Sequence, residues 1–135
     1  MKKSQPSNLE LQVLSVLWDR GPSSARDVLE TMPDGKKRAY TTVLSVMQVM
    51  EKKGLLTHTS NGNVHVYKPT VTRRRTLRPV LRGLVRNVFG GKVSAVMQQL
   101  LDETTVGDSD FEEIRRLLEG REAAKKNGGK GGAAQ

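Results

Sequence analysis

Apolar residues recur at helical spacing in three segments of the first 54 residues. The first segment follows Ser7, which forms a capping-box pattern with Glu10 three residues later, and a Gly-Pro pair ends it. A short second helix is predicted after Ser23 or Ser24, and a third over about 39–53. The pattern therefore predicts a long helix, a short helix and another long helix, joined by tight connections.

The third predicted helix has two faces of different character. Its apolar positions fall on one side of the helix at about 100° per residue; they are Tyr40, Val43, Leu44, Met47 and Met50. The other side carries Thr41, Thr42, Ser45, Val49 and Lys52, with Gln48 at its edge. Solvated helix faces are usually rich in Glu and Lys. A face of Thr, Ser and Gln predicts close approach to another molecule.

A hairpin is predicted after the third helix. Two β-rich runs flank Ser-Asn-Gly-Asn at 60–63, and Asn-Gly between such runs is the strongest short hairpin signal. With Asn61 and Gly62 as the two loop residues, His58 lies directly opposite His65. Two imidazoles with no evident third ligand do not predict a metal site, and a solvent-facing or phosphate-facing pair is the preferred interpretation.

Helix, short helix, helix and hairpin is the order of a winged helix-turn-helix. We therefore expect a mainly α fold (α+β) with a two-stranded wing, and a DNA-binding domain over 6–70. The third helix would enter the major groove, which admits one helix, with its N-terminal residues at the base edges. A structural winged helix used for protein contact is the alternative, but it would not need the Thr and Ser face.

Residues 73–120 are predicted to form three further amphipathic helical segments. Pro79 fits a helix only in the first turn, so the first segment should start near Thr76, and a Gly-Gly pair ends it. The third segment should start at Ser109, which forms a second capping-box pattern with Glu112.

These three segments cannot close a good core alone, because about 45 residues bury too little surface. We expect them to form a dimerisation domain that pairs with a second copy of the chain. The predicted dimer contacts are Leu77, Leu81, Leu84, Val88, Phe89, Val96, Met97, Leu100, Leu101, Leu117 and Leu118. From 121 to 135 Gly, Lys, Ala and Asn dominate, and a disordered basic tail is predicted.

Composition supports a nucleic-acid partner and argues against an enzyme. The formal net charge is +9, and the stretch 73–92 has seven basic residues and no acidic one. The stretch 93–120 is net acidic, so a polyanion-binding part precedes a protein-contact part. The chain has no cysteine and two histidines, and no nucleophile–base pair or phosphate-binding Gly loop is evident. We expect no cofactor and no metal.

No apolar run approaches the ~18 residues that a membrane-spanning helix needs. The first residues, Met-Lys-Lys-Ser-Gln-Pro, show no apolar stretch of a signal peptide. We therefore expect a cytoplasmic protein.

The predicted DNA contacts are the reading-helix face and the basic or wing-tip residues near it. They are Lys36, Lys37, Arg38, Tyr40, Thr41, Thr42, Ser45, Gln48, Lys52, Asn61, Gly62, Arg73 and Arg74. For the wing-tip residues, a plain turn without DNA contact is an equally good interpretation. For the arginines after the wing, a solvated basic linker is an equally good interpretation. A non-specific nucleoid-type DNA-binding protein is the alternative function, which explains the charge but not the Thr and Ser face.

The sequence resembles the BlaI/MecI/CopY family of penicillinase repressors. The matching motifs are Tyr-Thr-Thr-Val at 40–43, Met-Glu-Lys-Lys-Gly-Leu-Leu at 50–56, and Val-His-Val-Tyr-Lys-Pro at 64–69. The similarity extends from about residue 6 to 120. It implies a homodimeric repressor on an inverted-repeat operator, with antibiotic-resistance or cell-wall-stress genes as targets and a membrane sensor-protease system as a further partner.

Two departures from the family pattern bear on induction. The copper-responsive branch binds metal through C-terminal cysteine motifs, which this chain lacks, so its ligand chemistry excludes copper sensing. In the β-lactam branch a protease cuts an Asn-Phe bond, and Gln98 and Gln99 stand at that bond here. The resemblance makes this the proteolysis position, but the changed residues predict a different protease or a signal that does not cut the chain.

Overall fold

The computed structural model describes residues 5–130 of the 135-residue chain. Its helices are α1 (Asn8–Arg20), α2 (Ala25–Glu30), α3 (Tyr40–Lys52), α4 (Arg73–Gly83), α5 (Val93–Glu103) and α6 (Asp108–Lys130), and its strands are β1 (Leu56–Asn61) and β2 (Val64–Pro69). The chain divides into two compact units between Leu84 and Val85. None of the helices in the described residues is long and apolar enough to cross a membrane.

Side-chain caps fix where the first two helices begin. The Ser7 hydroxyl accepts from the Glu10 amide at 3.1 Å, and the Glu10 carboxylate accepts from the Ser7 amide at 2.9 Å, so the predicted capping box is confirmed. Of the two serines predicted to cap α2, Ser24 does so with Asp27. Ser23 instead exchanges two backbone hydrogen bonds with a residue of β2, which ties α2 to the hairpin.

The hydrophobic core lies between α1, α2, α3 and the base of the hairpin. It consists of Val13, Leu14, Val16, Leu17, Ala25, Val28, Met32, Val43, Met47, Met50, Leu56 and Tyr67. The predicted apolar stripe of α3 supplies three of these side chains, whereas Leu44 is half-buried and Tyr40 is 38% exposed. Helix-turn-helix and wing thus share one core, which confirms the winged helix-turn-helix fold.

The predicted register of the hairpin is wrong by one residue at the loop. Asn61 pairs with Val64, so the two loop residues are Gly62 and Asn63 instead of Asn61 and Gly62. Gly62 has φ 68°, and no non-Gly residue among 5–130 has a positive φ, which matches a turn with glycine at its first central position. His58 consequently pairs with Tyr67, and His65 is its diagonal neighbour rather than its direct partner.

Helix α4 differs from the prediction at both ends. It begins at Arg73 rather than near Thr76, because the Thr72 hydroxyl accepts from the Arg75 amide at 3.2 Å and caps an earlier start. Pro79 therefore lies inside the helix, which accommodates it. The chain then passes into a π-helical turn over Leu84–Val88, so the expected continuous α-helical stripe up to Phe89 is interrupted.

The later helices also extend beyond the prediction. Helix α6 begins at Asp108, so Ser109 lies within it and does not cap it as predicted. The helix continues past Gly120 to Lys130, and the predicted disordered tail is helical over 121–130. The rest of that tail, 131–135, lies outside the described residues.

Helix α4 lies in the first of the two compact units. The Trp18 indole N–H donates to the Val71 carbonyl at 2.9 Å, and the Arg73 guanidinium lies over the Trp18 ring and donates to Asp19 at 2.9 Å. These contacts attach the start of α4 to α1.

A partly buried ion pair joins α1 to the end of α3. The Lys53 ammonium donates to the Glu10 carboxylate at 2.8 Å, and Glu10 is 5% exposed. Burial alone would raise the pKa of Glu10, but hydrogen bonds from Lys53 and Ser7 outweigh it and lower the pKa below its usual value. The pair therefore stabilises the fold in the state in which Glu10 is ionised.

We expect Glu10→Gln to lower the free energy of unfolding at neutral pH by about 0.5–1 kcal/mol, a small value because Lys53 is partly exposed. Since the folded-state pKa of Glu10 is depressed, its contribution is present above the unfolded-state pKa and is lost as pH falls through the folded-state pKa. Urea unfolding of wild type and variant from pH 7 down to pH 3 measures this gap, the difference between their free energies of unfolding. A gap that does not shrink on acidification would contradict this assignment.

Candidate nucleic-acid interface

The side of α3 opposite the core is exposed along its length. Thr41, Thr42, Ser45, Gln48 and Lys52 are all exposed, and Val49 among them is 46% exposed. The hydroxyl groups of Thr and Ser can donate or accept at base edges, and the Thr methyl can pack on a thymine methyl. We call these six residues the reading face. Five of the six are polar, which suits contact with base edges in a groove of duplex DNA.

The N-terminal end of α3 has amide groups to offer. Its N-cap is Ala39, which has no side-chain acceptor, and the first backbone bonds to the Ala39 carbonyl come from Thr42 at 3.1 Å and Val43 at 3.3 Å. The amides of Tyr40 and Thr41 precede these and have no helical acceptor. A helix start of this kind attracts a phosphate oxygen.

The basic loop before α3 is held in shape by one of its own arginines. The Arg38 guanidinium makes a bidentate pair with Asp34 at 2.9 and 2.7 Å, and Gln12 of α1 also bonds Asp34. The hydrogen bond from Arg38, followed by that from the Lys36 amide, holds the pKa of Asp34 well below its usual range. Arg38 is thus engaged within the protein, whereas the side chains of Lys36 and Lys37 are exposed.

The two arginines after the wing that were predicted to contact DNA, Arg73 and Arg74, also differ in whether they have a partner in the protein. Arg73 is held by Asp19 and the Trp18 ring, so it connects α4 to α1. Arg74 is exposed and takes part in no ion pair within residues 5–130. Asn61 and Gly62 are exposed near the wing tip. The structure therefore brings the predicted basic contacts to the surface but gives Arg38 and Arg73 partners inside the chain.

A contact between Glu51 and His58, which the sequence did not indicate, links the wing to α3. The His58 Nδ1 lies 2.8 Å from a carboxylate oxygen of Glu51 at the end of α3, and the His58 and His65 rings stack at 4.2 Å. Tyr67 lies 5.4 Å from His58, ring centre to ring centre. The 7-residue separation of Glu51 and His58 crosses a turn, so no sequence periodicity could have shown it.

The predicted dimer contacts are not buried in the part of the chain that the structure describes. None of the residues from 68 to 128 is buried, although many are large and apolar. Leu77, Phe89, Val96 and Met97 are half-buried, while Leu81, Leu84, Val88, Leu100, Leu101, Leu117 and Leu118 are 38–68% exposed. Isolated exposed apolar side chains are ordinary, but exposed large apolar side chains that recur on one helix after another are typical of a chain segment with an interaction surface.

The predicted proteolysis position lies in the middle of α5. Gln98 and Gln99 are exposed, and each donates to a carboxylate one turn later, Asp102 at 3.4 Å and Glu103 at 3.1 Å. A regular helix does not present its backbone in the extended form that proteases bind. Among residues 5–130 no group of three or more His, Cys, Asp or Glu side chains is arranged to hold a metal ion.

Comparison with known proteins gives a consistent result. The family described as "Penicillinase repressor" matches residues 6–120. The chain is 23% identical over 127 residues to the penicillinase repressor of Bacillus licheniformis, covering 93% of this chain and 99% of the relative. It is 29% identical over 135 residues to the transcriptional regulator BlaI of Mycobacterium tuberculosis, covering 98% and 96% of the two chains.

One solved structure is also similar. The solution structure of the monomeric form of Bacillus licheniformis BlaI, in complex with the blaP half-operator, is 27% identical with a TM-score of 0.46. The match covers 54% of this chain and 89% of that one.

Proposed function

The chain belongs to the penicillinase repressor family and is a sequence-specific DNA-binding transcriptional repressor; from this premise we propose that it binds an inverted-repeat operator as a homodimer. In this proposal the candidate site is a binding interface rather than a catalytic centre. In this proposal α3 reads bases in the major groove, and α4 to α6 supply the surface for a second copy.

The observation that carries the proposal is the reading face of α3. Its exposed hydroxyl and amide groups have no structural partner in the core, and the uncapped start of the helix adds backbone donors. Lys36 and Lys37 stand directly before that start, where they would hold a phosphate backbone. The loop before α3 and the start of the helix thus offer phosphate contacts, and the exposed face that follows offers base contacts, as in a reading helix.

The exposed apolar side chains between residues 77 and 118 support the dimer. A twofold dimer would bury them against their counterparts and place two reading helices on one side of a duplex. Two half-sites related by symmetry would then form an inverted repeat.

Selection of bound duplexes from a random pool tests the proposal directly. We expect the enriched sequences to contain a palindrome, whose half-site spacing reports the dimer geometry. A preference of about 10³-fold or more over random duplex is expected of a specific repressor. Enrichment without any shared sequence would instead support the non-specific nucleoid-type alternative.

For induction we propose derepression by a protease of different specificity from the family's sensor-linked protease, or by a signal that does not cut the chain. Gln98 and Gln99 replace the family's cleaved residues and lie in a regular helix. We therefore expect that blotting of cells before and after addition of a cell-wall antibiotic shows no repressor fragment that ends at Gln98. A fragment ending at Gln98 would show that the family position is still cut.

A further inference from the structure

A groove runs between α2, one flank of α3 and the wing, beside the reading face. It is lined by Arg26 of α2, by Tyr40, Leu44 and Gln48 of α3, and by Asn63 and His65 of the wing. Gln48 belongs both to the groove and to the reading face, so the two surfaces are continuous. No carboxylate lines this groove, although α2 and the end of α3 carry acidic residues elsewhere.

Arg26 is placed in this groove by an aromatic ring. Its guanidinium carbon lies 5.0 Å from the centre of the Tyr40 ring, and Arg26 takes part in no ion pair with a carboxylate within residues 5–130. Cation–π contact orients the planar guanidinium without occupying its N–H groups. The arginine is therefore held in position and keeps donors for a ligand.

The opposite wall of the groove is also held in position. His65 is exposed and stacks on His58 at 4.2 Å, and His58 is fixed by the carboxylate of Glu51 on α3. The Tyr67 backbone, two residues further along the strand, exchanges hydrogen bonds of 3.0 and 2.8 Å with Ser23 just before α2. The wing, α2 and α3 are thereby connected on both sides of the groove.

We propose that this groove binds a backbone phosphate of the operator DNA, with Arg26 as the main donor and His65 as a second polar contact from the wing. The inference rests on the proposed function: when the reading face occupies the major groove, a sugar–phosphate strand must pass along each flank of α3. The flank formed by Tyr40, Leu44 and Gln48 is the one that this groove borders. Arg26 contributes affinity there but no sequence information.

The test compares Arg26→Gln with wild type on the selected operator and on random duplex, over a range of salt. Loss of one phosphate contact should lower the slope of log affinity against log salt by about 1 and weaken both duplexes alike. At low salt the loss should be about tenfold, since a hydrogen bond to a charged group is removed. Lys68→Gln is the matched control: it removes one positive charge from the outward side of β2, on the face opposite Tyr67 and His65.

Arg26→Lys keeps the positive charge at this position but removes the planar guanidinium. It should restore the salt slope but recover only part of the affinity, because lysine lacks the planar fork that stacks on Tyr40. If Arg26→Gln leaves affinity and salt slope unchanged, or Lys68→Gln changes them as much, the groove is not a phosphate site. If the wild-type chain itself shows no preferred duplex, the proposed function fails instead.

Discussion

Leu101→Asp should convert the chain from dimer to monomer at micromolar concentration. Leu101 lies on α5, a helix with no buried residue, and its side chain is 43% exposed. In the proposed dimer the new carboxylate would be buried without a partner, which costs roughly 3–5 kcal/mol. Sedimentation velocity measures the change. A wild-type chain that sediments as a monomer at the same concentration would refute the dimer.

Operator binding should fall together with dimerisation. Two linked reading heads bind the second half-site as an effectively intramolecular event, so losing the link should weaken binding by about 10²–10⁴-fold. Gln99→Asp serves as the control, since it places the same charge on the same helix about 200° away from Leu101. We expect that variant to sediment as a dimer and bind the operator as the wild type does. Equal defects in both variants would assign the effect to α5 folding rather than to the interface.

The fold of the first unit could be predicted because its signals are local. A capping box at Ser7, a serine cap before α2, an apolar stripe along α3 and an Asn-Gly pair each indicate a segment independently of the rest of the chain. The hairpin register was missed because two glycine-containing turns differ by one residue and no alternating apolar pattern distinguishes them. The choice depends on Tyr67, which is buried in the core and bonds the backbone before α2.

The later helices were predicted less well because few tertiary contacts fix their ends. With Thr72 as its cap, α4 begins three residues before the start near Thr76 that Pro79 indicated. Helix α6 continues through Gly120, although glycine disfavours a helix interior. In the candidate site, exposure of the reading face followed from periodicity. The partners of Arg73 and Arg26 did not, because Trp18 and Asp19 reach Arg73, and Tyr40 reaches Arg26, only through the folded chain. The separation of two residues along the chain does not show whether their side chains are in contact.

Thr42→Ala should weaken binding to the selected operator by roughly 1–3 kcal/mol and leave random duplex nearly unchanged. Thr42 is exposed in the first turn of α3, and its hydroxyl makes no side-chain hydrogen bond among residues 5–130, so its removal should cost the fold little. Thr105→Ala, an exposed threonine between α5 and α6, is the control and should leave both affinities as they are.

Lys37→Ala should give the opposite signature. Lys37 is exposed in the loop before α3, and its charge would neutralise a phosphate whatever the base sequence. Affinity for operator and random duplex should fall alike, and the slope of log affinity against log salt should decrease by about 1. Electrophoretic mobility shift or fluorescence anisotropy titrations at several salt concentrations measure all of these variants. If Thr42→Ala leaves the operator-to-random ratio at its wild-type value, Thr42 does not read bases, and the specificity must come from other residues of the reading face.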